Sequence, residues 1–237
     1  MEAAEKTSLV DKIYLQIKRA IVNREIPPGT KLSEEVLANI LNVSRTPVRT
    51  ALQKLSYEKL VDISPRKGAS IANPTAKEVK EVFEMRILLE EYTVEMACRN
   101  FKQTDDTAAR LKHVLAIEEK AYRDKDFSNV LQQVHNFHIE IAKLCNNGLI
   151  VRHLQELILL TNIYITFYSE MSIESPNSPG EHLKILHAIE NNDVALAKYL
   201  MRRHIEDVSK RLNFNLIRNY NINLQDILLG QGLDVRE

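Results

Sequence analysis

The chain has 237 residues, of which 44% are hydrophobic and 27% charged, so it is long enough for two domains with ordinary cores. No apolar run approaches the roughly 20 residues that span a bilayer, and the first six residues contain no apolar stretch of signal-peptide type. Cys98 and Cys145 are far apart and outside any C-x-x-C pair, which argues against a disulfide framework or thiolate zinc site and favours a cytoplasmic protein without a membrane partner.

The charges are distributed unevenly, although the formal net charge is zero. Residues 1–76 contain 12 Lys and Arg against 8 Asp and Glu, whereas the remainder contains 20 against 24. A basic N-terminal part on an acidic body is the asymmetry expected when only one domain contacts phosphate. The zero net charge alone would argue against a nucleic-acid binder. The uneven distribution, in contrast, is a first indication that the N-terminal part binds nucleic acid.

Three amphipathic helices and a hairpin are predicted near the N-terminus. Apolar residues recur at helical spacing from about Ser8 to Asn23, and Ser33 and Ser44 are placed to cap a second and a third helix. Two short segments with alternating apolar and polar residues follow, joined by a turn at Pro65–Gly68. The predicted helices are 8–23, 34–41 and 45–59, and the predicted strands are 61–64 and 69–72. This order of elements predicts a winged helix-turn-helix.

A capping box marks the predicted domain boundary. Thr75 and Glu78 have the spacing at which a hydroxyl and a carboxylate satisfy free backbone amides at a helix start, and Pro74 precedes them. Almost all of the chain beyond has the helical period, which predicts an all-α bundle in a mainly α protein. The predicted helices are 75–101, 104–124, 126–146, 148–171, 178–191 and 193–212. The two main domains are therefore expected at 1–74 and 75–212.

Two segments are less regular. The run Asn146-Asn147-Gly148 predicts a helix end, with the glycine in the left-handed conformation. The C-terminal extension, 213–237, contains one short apolar run, Ile227-Leu228-Leu229. A helix, a docking arm and a frayed tail are all compatible with that run.

The predicted third helix presents basic side chains at its N-terminus. With Ser44 as N-cap, Arg45, Thr46 and Arg49 project from the first turn and a half, where backbone amides also favour phosphate. Arginine presents a bidentate fork to O6 and N7 of guanine, so a helix end in the major groove reads bases. The hairpin tip, Arg66-Lys67-Gly68, is placed to touch the adjacent groove or backbone. The alternative is that the arginines are solvated charges and the tip a polar turn.

These N-terminal motifs resemble the GntR family of bacterial regulators over about 75 residues. The resemblance lies in Pro28-Gly29-x-Lys31-Leu32-Ser33-Glu34, Leu37-Ala38, Ser44-Arg45-Thr46-Pro47-Val48-Arg49-x-Ala51-Leu52 and the wing with Gly68. It implies a DNA-binding transcriptional regulator that recognises a double-stranded operator. Two positions depart from the family pattern: Glu35 stands where many members carry a DNA-contacting arginine, and Thr50 stands where glutamate is usual.

The predicted bundle is similar to the FCD ligand-binding domain of the FadR-type branch of this family. The similarity lies in Glu84-x-Arg86-x-x-Leu89-Glu90, Phe137-His138, Cys145-Asn146-Asn147, Glu181-His182 and Met201-Arg202-Arg203-His204. It implies a homodimer that grips a pseudo-palindromic operator, commonly as a repressor, and responds to a small effector, in this branch a carboxylate. Arg86 and Asn147 are the candidate effector contacts, and Arg86 is also a candidate to orient a metal ligand.

The branch also implies a divalent metal ion of zinc or nickel type inside the bundle. Carried over by position, the ligands are His138, His182 and His204, and three imidazoles leave a coordination position for water or an effector carboxylate. Metal-binding members carry an aspartate four residues before the first histidine, where this chain has Val134. His135 is a weaker candidate as its substitute. The alternative is three buried histidines hydrogen-bonded among polar groups without a metal.

Two other functions are compatible with the sequence. The first is a metal-dependent enzyme on a helical bundle, because three histidines with an open position could activate water. No motif supports it, since the chain has no G-x-S-x-G, H-E-x-x-H or phosphate-binding glycine loop, and an enzyme is not expected. The second is a constitutive DNA-binding dimer with an emptied pocket, an alternative that Val134 strengthens.

Overall fold

The computed structural model describes residues 8–101, 106–169, 178–214 and 223–230. The chain divides into two compact units, one made of the residues up to Pro74 together with a C-terminal helix, the other of Thr75–Phe214. Within the described ranges both units are helical apart from one two-stranded sheet. None of the helices described is both long enough and apolar enough to cross a membrane.

The first unit contains three N-terminal helices and a β-hairpin. These are α1, Leu9–Val22; α2, Glu34–Leu41; α3, Arg45–Tyr57; β1, Val61–Ser64; and β2, Gly68–Ile71. Residues at helical spacing line one face of each helix, and those apolar faces pack together. The core includes Ile13, Ile17, Leu37, Val48, Leu52 and Leu55. The predicted winged helix-turn-helix is confirmed.

One of the two serine caps predicted for α2 and α3 forms its hydrogen bond. The Ser33 hydroxyl accepts from the Val36 amide at 3.4 Å. Ser44 occupies the N-cap position of α3 with extended backbone, but its side chain makes no capping hydrogen bond. Ser44 is therefore the N-cap, as predicted, but without the side-chain bond. One of the two amides that a cap uses is missing, because the third helical residue is Pro47, which has no amide hydrogen.

The wing is anchored by the segment that precedes α2. The hairpin is antiparallel, with Val61 paired to Ile71. Lys31 forms a bridge to Ser70 on the other edge of β2, so a third extended segment supports the hairpin. The sequence does not predict this segment, because a stretch so short shows no alternation of apolar and polar residues.

The second unit is a bundle in which six helices are described. These are α4, Ala76–Asn100; α5, Asp106–Asp124; α6, Phe127–Lys143; α7, Gly148–Tyr168; α8, Ser178–Glu190; and α9, Val194–Lys210. The predicted capping box is present: the Thr75 hydroxyl accepts from the Glu78 amide, and the Glu78 carboxylate accepts from the Thr75 amide at 2.7 Å. Residues 104–105 and 170–171, predicted as helix ends, lie outside the described ranges. Because α4 packs against α6, α7, α8 and α9, it is the central helix.

The connection between α6 and α7 differs from the prediction. The left-handed residue is Asn146, with φ of +55°, whereas Gly148 is the first residue of α7. Asparagine adopts this conformation more readily than most residues because its short amide forms local hydrogen bonds.

The C-terminal extension contributes a short helix to the first unit. This helix, α10, is Leu224–Leu229, and the Asn223 side chain before it accepts from the Gln225 amide at 3.0 Å. It packs against α1 and α2, with Leu228 fully buried. Of the three possibilities for the extension, residues 224–229 combine the first two, since they form a helix and that helix docks on α1 and α2. Residues 215–222 and 231–237 lie outside the described ranges.

Candidate functional site

The N-terminal end of α3 is an exposed basic surface. The side chains of Arg45 and Arg49 are 60% and 62% exposed, and Ser44 and Thr46 beside them are exposed as well. Val48 is fully buried, so the packing of α3 determines which of its faces carries the arginines. The four residues of this helix predicted to read DNA therefore share one accessible helix end.

Both arginines pair with glutamates at the start of α2. The Arg49 Nη2 atom donates to Glu34 Oε2 at 2.8 Å, and Arg45 Nη2 lies 2.9 Å from Glu35 Oε2. The hydrogen bonds from Arg49 lower the pKa of the Glu34 carboxyl below its usual value. These carboxylates occupy guanidinium nitrogens that would otherwise be free to donate to DNA. The spacing of the residues in the sequence does not reveal this pairing.

The tip of the wing is also accessible. Arg66 and Lys67 lie exposed in the turn between β1 and β2. Gly68 has φ of +76°, and a Cβ atom built on it would have no neighbour within 4 Å. The glycine is therefore required by the turn's backbone conformation rather than by crowding.

Three histidines converge inside the second unit. His138 is on α6, His182 on α8 and His204 on α9, and all three are buried. One nitrogen atom of each ring lies within 4.8 Å of the others, and the Nε2 atoms of His182 and His204 are 3.3 Å apart. Because they come from three separate helices, only the folded bundle brings these predicted ligands together.

A glutamate orients each imidazole from the outside of the cluster. The pairs, by Nδ1 and carboxylate oxygen, are His182 with Glu118 at 2.8 Å, His204 with Glu181 at 2.8 Å, and His138 with Glu90. Glu90 and Glu118 are themselves buried. Carboxylates in this position fix the ring orientation and tautomer of metal-binding histidines and raise their basicity.

The protonation states follow from burial and from these pairs. Burial lowers the pKa of His138 to about 3, against the opposing effect of Glu90, and burial also lowers the pKa of His204. Burial alone would raise the pKa of Glu90, but Arg86 and His138 outweigh it and lower that pKa to about 2. Since an ionised carboxylate only accepts hydrogen bonds, a neutral ring paired with one carries its single hydrogen at Nδ1.

The Nε2 atoms of the three rings lie on the side away from the paired glutamates. His138 Nε2 is buried and has no hydrogen-bond partner among the described residues. Two nitrogens bound to one tetrahedral zinc at 2.0–2.1 Å lie about 3.3–3.4 Å apart, and the Nε2 atoms of His182 and His204 are separated by 3.3 Å. A cation at the centre would satisfy all three lone pairs, so the residues present fit a divalent metal.

The Arg86 side chain contacts the carboxylate of Glu90. Its side chain is buried, and its Nε atom donates to Glu90 Oε1 at 2.7 Å. Its Nη2 atom lies 2.6 Å from the same oxygen, but not in hydrogen-bonding geometry, and it has no other partner in the described part of the chain. Of the two roles predicted for Arg86, these contacts favour orienting a metal ligand through Glu90.

Three other candidates stand apart from the cluster. Asn147 is exposed, and its side chain accepts from the first amides of α7 as a helix cap, so its expected effector contact gains no support. Val134 is half-buried one turn before His138 and supplies no ligand atom. His135 is half-buried and is not a member of the group with metal-ligand spacing. The structure therefore offers no protein substitute for the missing aspartate among these residues.

The sequence gives no direct sign of the supporting carboxylates. Glu90 follows Arg86 by four residues, which places both on one helix face, and Glu181 precedes His182 directly. Those two positions could have been suspected from spacing. Glu118 lies on a different helix, in no motif, and its role is visible only in the fold.

Comparison with known families identifies the architecture. The sequence model of the family described as "Bacterial regulatory proteins, gntR family" matches residues 9–71. The sequence model of the family described as "FCD domain" matches residues 81–207, which is more than half of the chain. The chain belongs to the GntR family of bacterial regulatory proteins. It is a DNA-binding transcriptional regulator rather than an enzyme, and its FCD domain is a ligand-binding domain.

Relatives match this GntR regulator along most of their length. The gluconate operon transcriptional repressor of Bacillus subtilis is 25% identical over 217 residues, covering 87% of this chain and 86% of that protein. The transcriptional repressor RspR of Escherichia coli is 25% identical over 203 residues, covering 84% and 86%. A GntR regulator from Rhodococcus sp. RHA1 has a similar fold, with a TM-score of 0.67 and 22% identity, covering 88% of this chain and 99% of that structure.

Proposed function

We propose that this regulator is a homodimeric repressor, acting in the bacterial cytoplasm, that releases its operator when a small carboxylate binds at a metal ion in the FCD domain. The observation that carries the proposal is the convergence of three buried imidazole rings, each held from outside by a glutamate. The relatives named as repressors agree with this direction of control.

The DNA contact is assigned to the accessible end of α3 and to the wing. Arg45 and Arg49 would read base edges in the major groove, with Ser44 and Thr46 on the adjacent backbone. The wing tip, Arg66-Lys67-Gly68, would contact the neighbouring backbone. The exposure of all these positions supports the assignment. A dimer would present two such DNA-binding units to two half-sites, which predicts a pseudo-palindromic operator.

The metal would be held by His138, His182 and His204. A divalent ion of zinc or nickel type suits three neutral imidazoles. When bound, it would supply a Lewis-acidic position for an effector oxygen. Because Val134 contributes no ligand, the protein leaves more of the coordination sphere to water or effector than a site with an added aspartate would.

A small opening beside the cluster supports an anionic effector. The cavity has a volume of about 110 Å³ and is lined by Glu181, Lys184, Leu200, Arg203 and His204. Lys184 and Arg203 together outnumber the negative charge of Glu181 there, so the lining carries a net positive charge that attracts a carboxylate. The volume is well below the roughly 300 Å³ of pockets for drug-sized ligands, so it suits a small organic acid.

An apolar stripe on α4 is the proposed dimer surface. Met85, Leu88 and Tyr92 follow each other at helical spacing and are 47%, 65% and 43% exposed. Monomeric surfaces rarely expose contiguous large apolar side chains without a partner. A second copy of the FCD domain covering this stripe would bury it.

The deciding experiment measures metal content and DNA release on the same purified protein. Duplex DNA selected in vitro by the wild-type protein serves as the operator probe. We expect about one zinc or nickel ion per subunit by elemental analysis, and weaker DNA binding when a member of a panel of small organic acids is added. A metal-free protein whose DNA affinity responds to no acid in the panel would instead support the constitutive dimer.

A further inference from the structure

The C-terminal helix α10 makes buried contacts with the DNA-binding unit. Leu228 is fully buried, and the Gln16 side chain of α1, which is 1% exposed, donates from Nε2 to the Leu228 carbonyl at 2.5 Å. That carbonyl belongs to the last turn of α10, where backbone oxygens lack partners within the helix. The contact therefore satisfies a polar group of each element and buries an apolar side chain.

This helix lies outside both family matches. They cover residues 9–71 and 81–207, whereas α10 is Leu224–Leu229. The short helix has only six residues, and a helix of that length is not stable in water without tertiary packing. Its conformation therefore depends on the surface of α1 and α2 that it covers.

The position of α10 gives the chain a second covalent connection between its two units. The first is at Pro74–Thr75, and the second follows α9. Helix α9 carries His204, and α10 packs against α2, the helix directly before the DNA-reading helix. The chain therefore links the helix that carries His204 to the DNA-binding unit at a second point besides Pro74–Thr75.

We propose that α10 is a clasp, docked on α1 and α2, through which the state of the histidine cluster controls the DNA-binding unit. The coupling rests on the metal- and acid-dependent release proposed above, whereas the docking does not. If the clasp is needed, a protein with α10 undocked should still bind metal and still bind DNA, but its DNA affinity should no longer respond to the effector.

The test compares Leu228→Asp with Leu229→Asp in the full-length protein. The two substitutions add the same charge to the same helix, but Leu228 is fully buried and Leu229 is 50% exposed. We expect Leu228→Asp to accelerate hydrogen exchange in α1 near Gln16 and in α2 by about tenfold or more, and Leu229→Asp to leave it unchanged. Leu228→Ala serves as a milder variant if the aspartate unfolds the whole unit.

The second readout is the response of DNA affinity to zinc and acid, using the selected duplex as probe. The proposal expects Leu228→Ala to bind zinc as the wild type does and to lose most of the acid-induced change in DNA affinity. Equal exchange in the two aspartate variants would overturn the docking. A full acid response in an undocked variant, or no response in a wild type that binds metal, would overturn the coupling. A wild type without bound metal would overturn the metal site, and the exchange comparison would still decide the docking.

Discussion

The guanidinium of Arg49 is engaged by the carboxylate of Glu34 through two nitrogen atoms. Nε lies 3.0 and 3.1 Å from the two carboxylate oxygens, and Nη2 lies 2.8 Å from one of them. The pair lies at the surface, where ion pairs contribute only about 0–1 kcal/mol. The pair therefore costs little to break and would not prevent Arg49 from exchanging onto DNA.

Removal of the two arginines tests the recognition helix. We expect Arg45→Ala and Arg49→Ala each to weaken binding to the selected duplex by about 10- to 100-fold, because a bidentate base contact is worth about 1–3 kcal/mol. Fluorescence anisotropy titration measures the affinity, and circular dichroism checks the fold. Lys54→Ala is the control, since Lys54 lies at the other end of α3 and pairs with Asp11. Wild-type affinity in the variant that carries both substitutions would falsify the assignment of α3 as the recognition helix.

Removal of the glutamates should have the opposite effect. In Glu34→Gln with Glu35→Gln, the arginines lose their competing partners, so affinity for mixed-sequence duplex DNA should rise several-fold. The dependence on salt should also become steeper, by up to about one unit of slope for each additional phosphate neutralised. Glu25→Gln changes the charge of the same unit away from α3 and should have a smaller effect. Glu25→Gln removes one charge instead of two, so half of the double variant's effect in this control would mean that total charge alone is responsible.

The histidine cluster predicts loss of metal on substitution. His138→Ala with His182→Ala should remove bound zinc or nickel because two of three protein ligands are lost. Elemental analysis after dialysis measures the content, with His153→Ala, an exposed histidine, as the control. Unchanged metal in the double variant would reject the site.

The supporting carboxylates should tune metal affinity without abolishing it. Glu118 holds the outer nitrogen of His182 at 2.8 Å, and changes at such positions typically cost 10- to 100-fold in metal affinity. We expect Glu118→Gln to weaken zinc binding by about that factor in competition with a chelating dye. Glu119→Gln, on the next residue, is the matched control because Glu119 is exposed. A Glu118 variant with wild-type zinc affinity would assign the carboxylate a purely structural role.

The apolar stripe on α4 predicts a substitution that separates subunits. Leu88→Glu places a charge in the middle of the proposed interface, where it would be desolvated without a partner. Light scattering coupled to size-exclusion chromatography should report a monomer for this variant and a dimer for the wild type. Leu149→Glu, at a position 59% exposed on α7, should remain a dimer. A dimeric Leu88→Glu protein would locate the interface elsewhere.

Local patterns in the sequence predict most of the elements correctly. The capping residues Ser33 and Thr75 mark helix starts because a cap is a contact between residues two or three positions apart. Ser44 shows the limit of this reasoning, since it is the N-cap of α3 but forms no side-chain cap bond. The third extended segment at Lys31 is also missed, because its pairing with Ser70 joins residues distant in sequence.

The sequence by itself determined the helical periodicity and the winged helix-turn-helix, because both depend on neighbours along the chain. It also located the arginines at the start of α3 and the three histidines as candidate site residues. Only the tertiary structure decided that Glu90 and Glu118 hold two of those histidines, that Glu34 and Glu35 pair with the arginines, and that α10 docks on α1 and α2. These contacts join side chains on different helices. Their formation depends on how the helices pack, which no local pattern encodes.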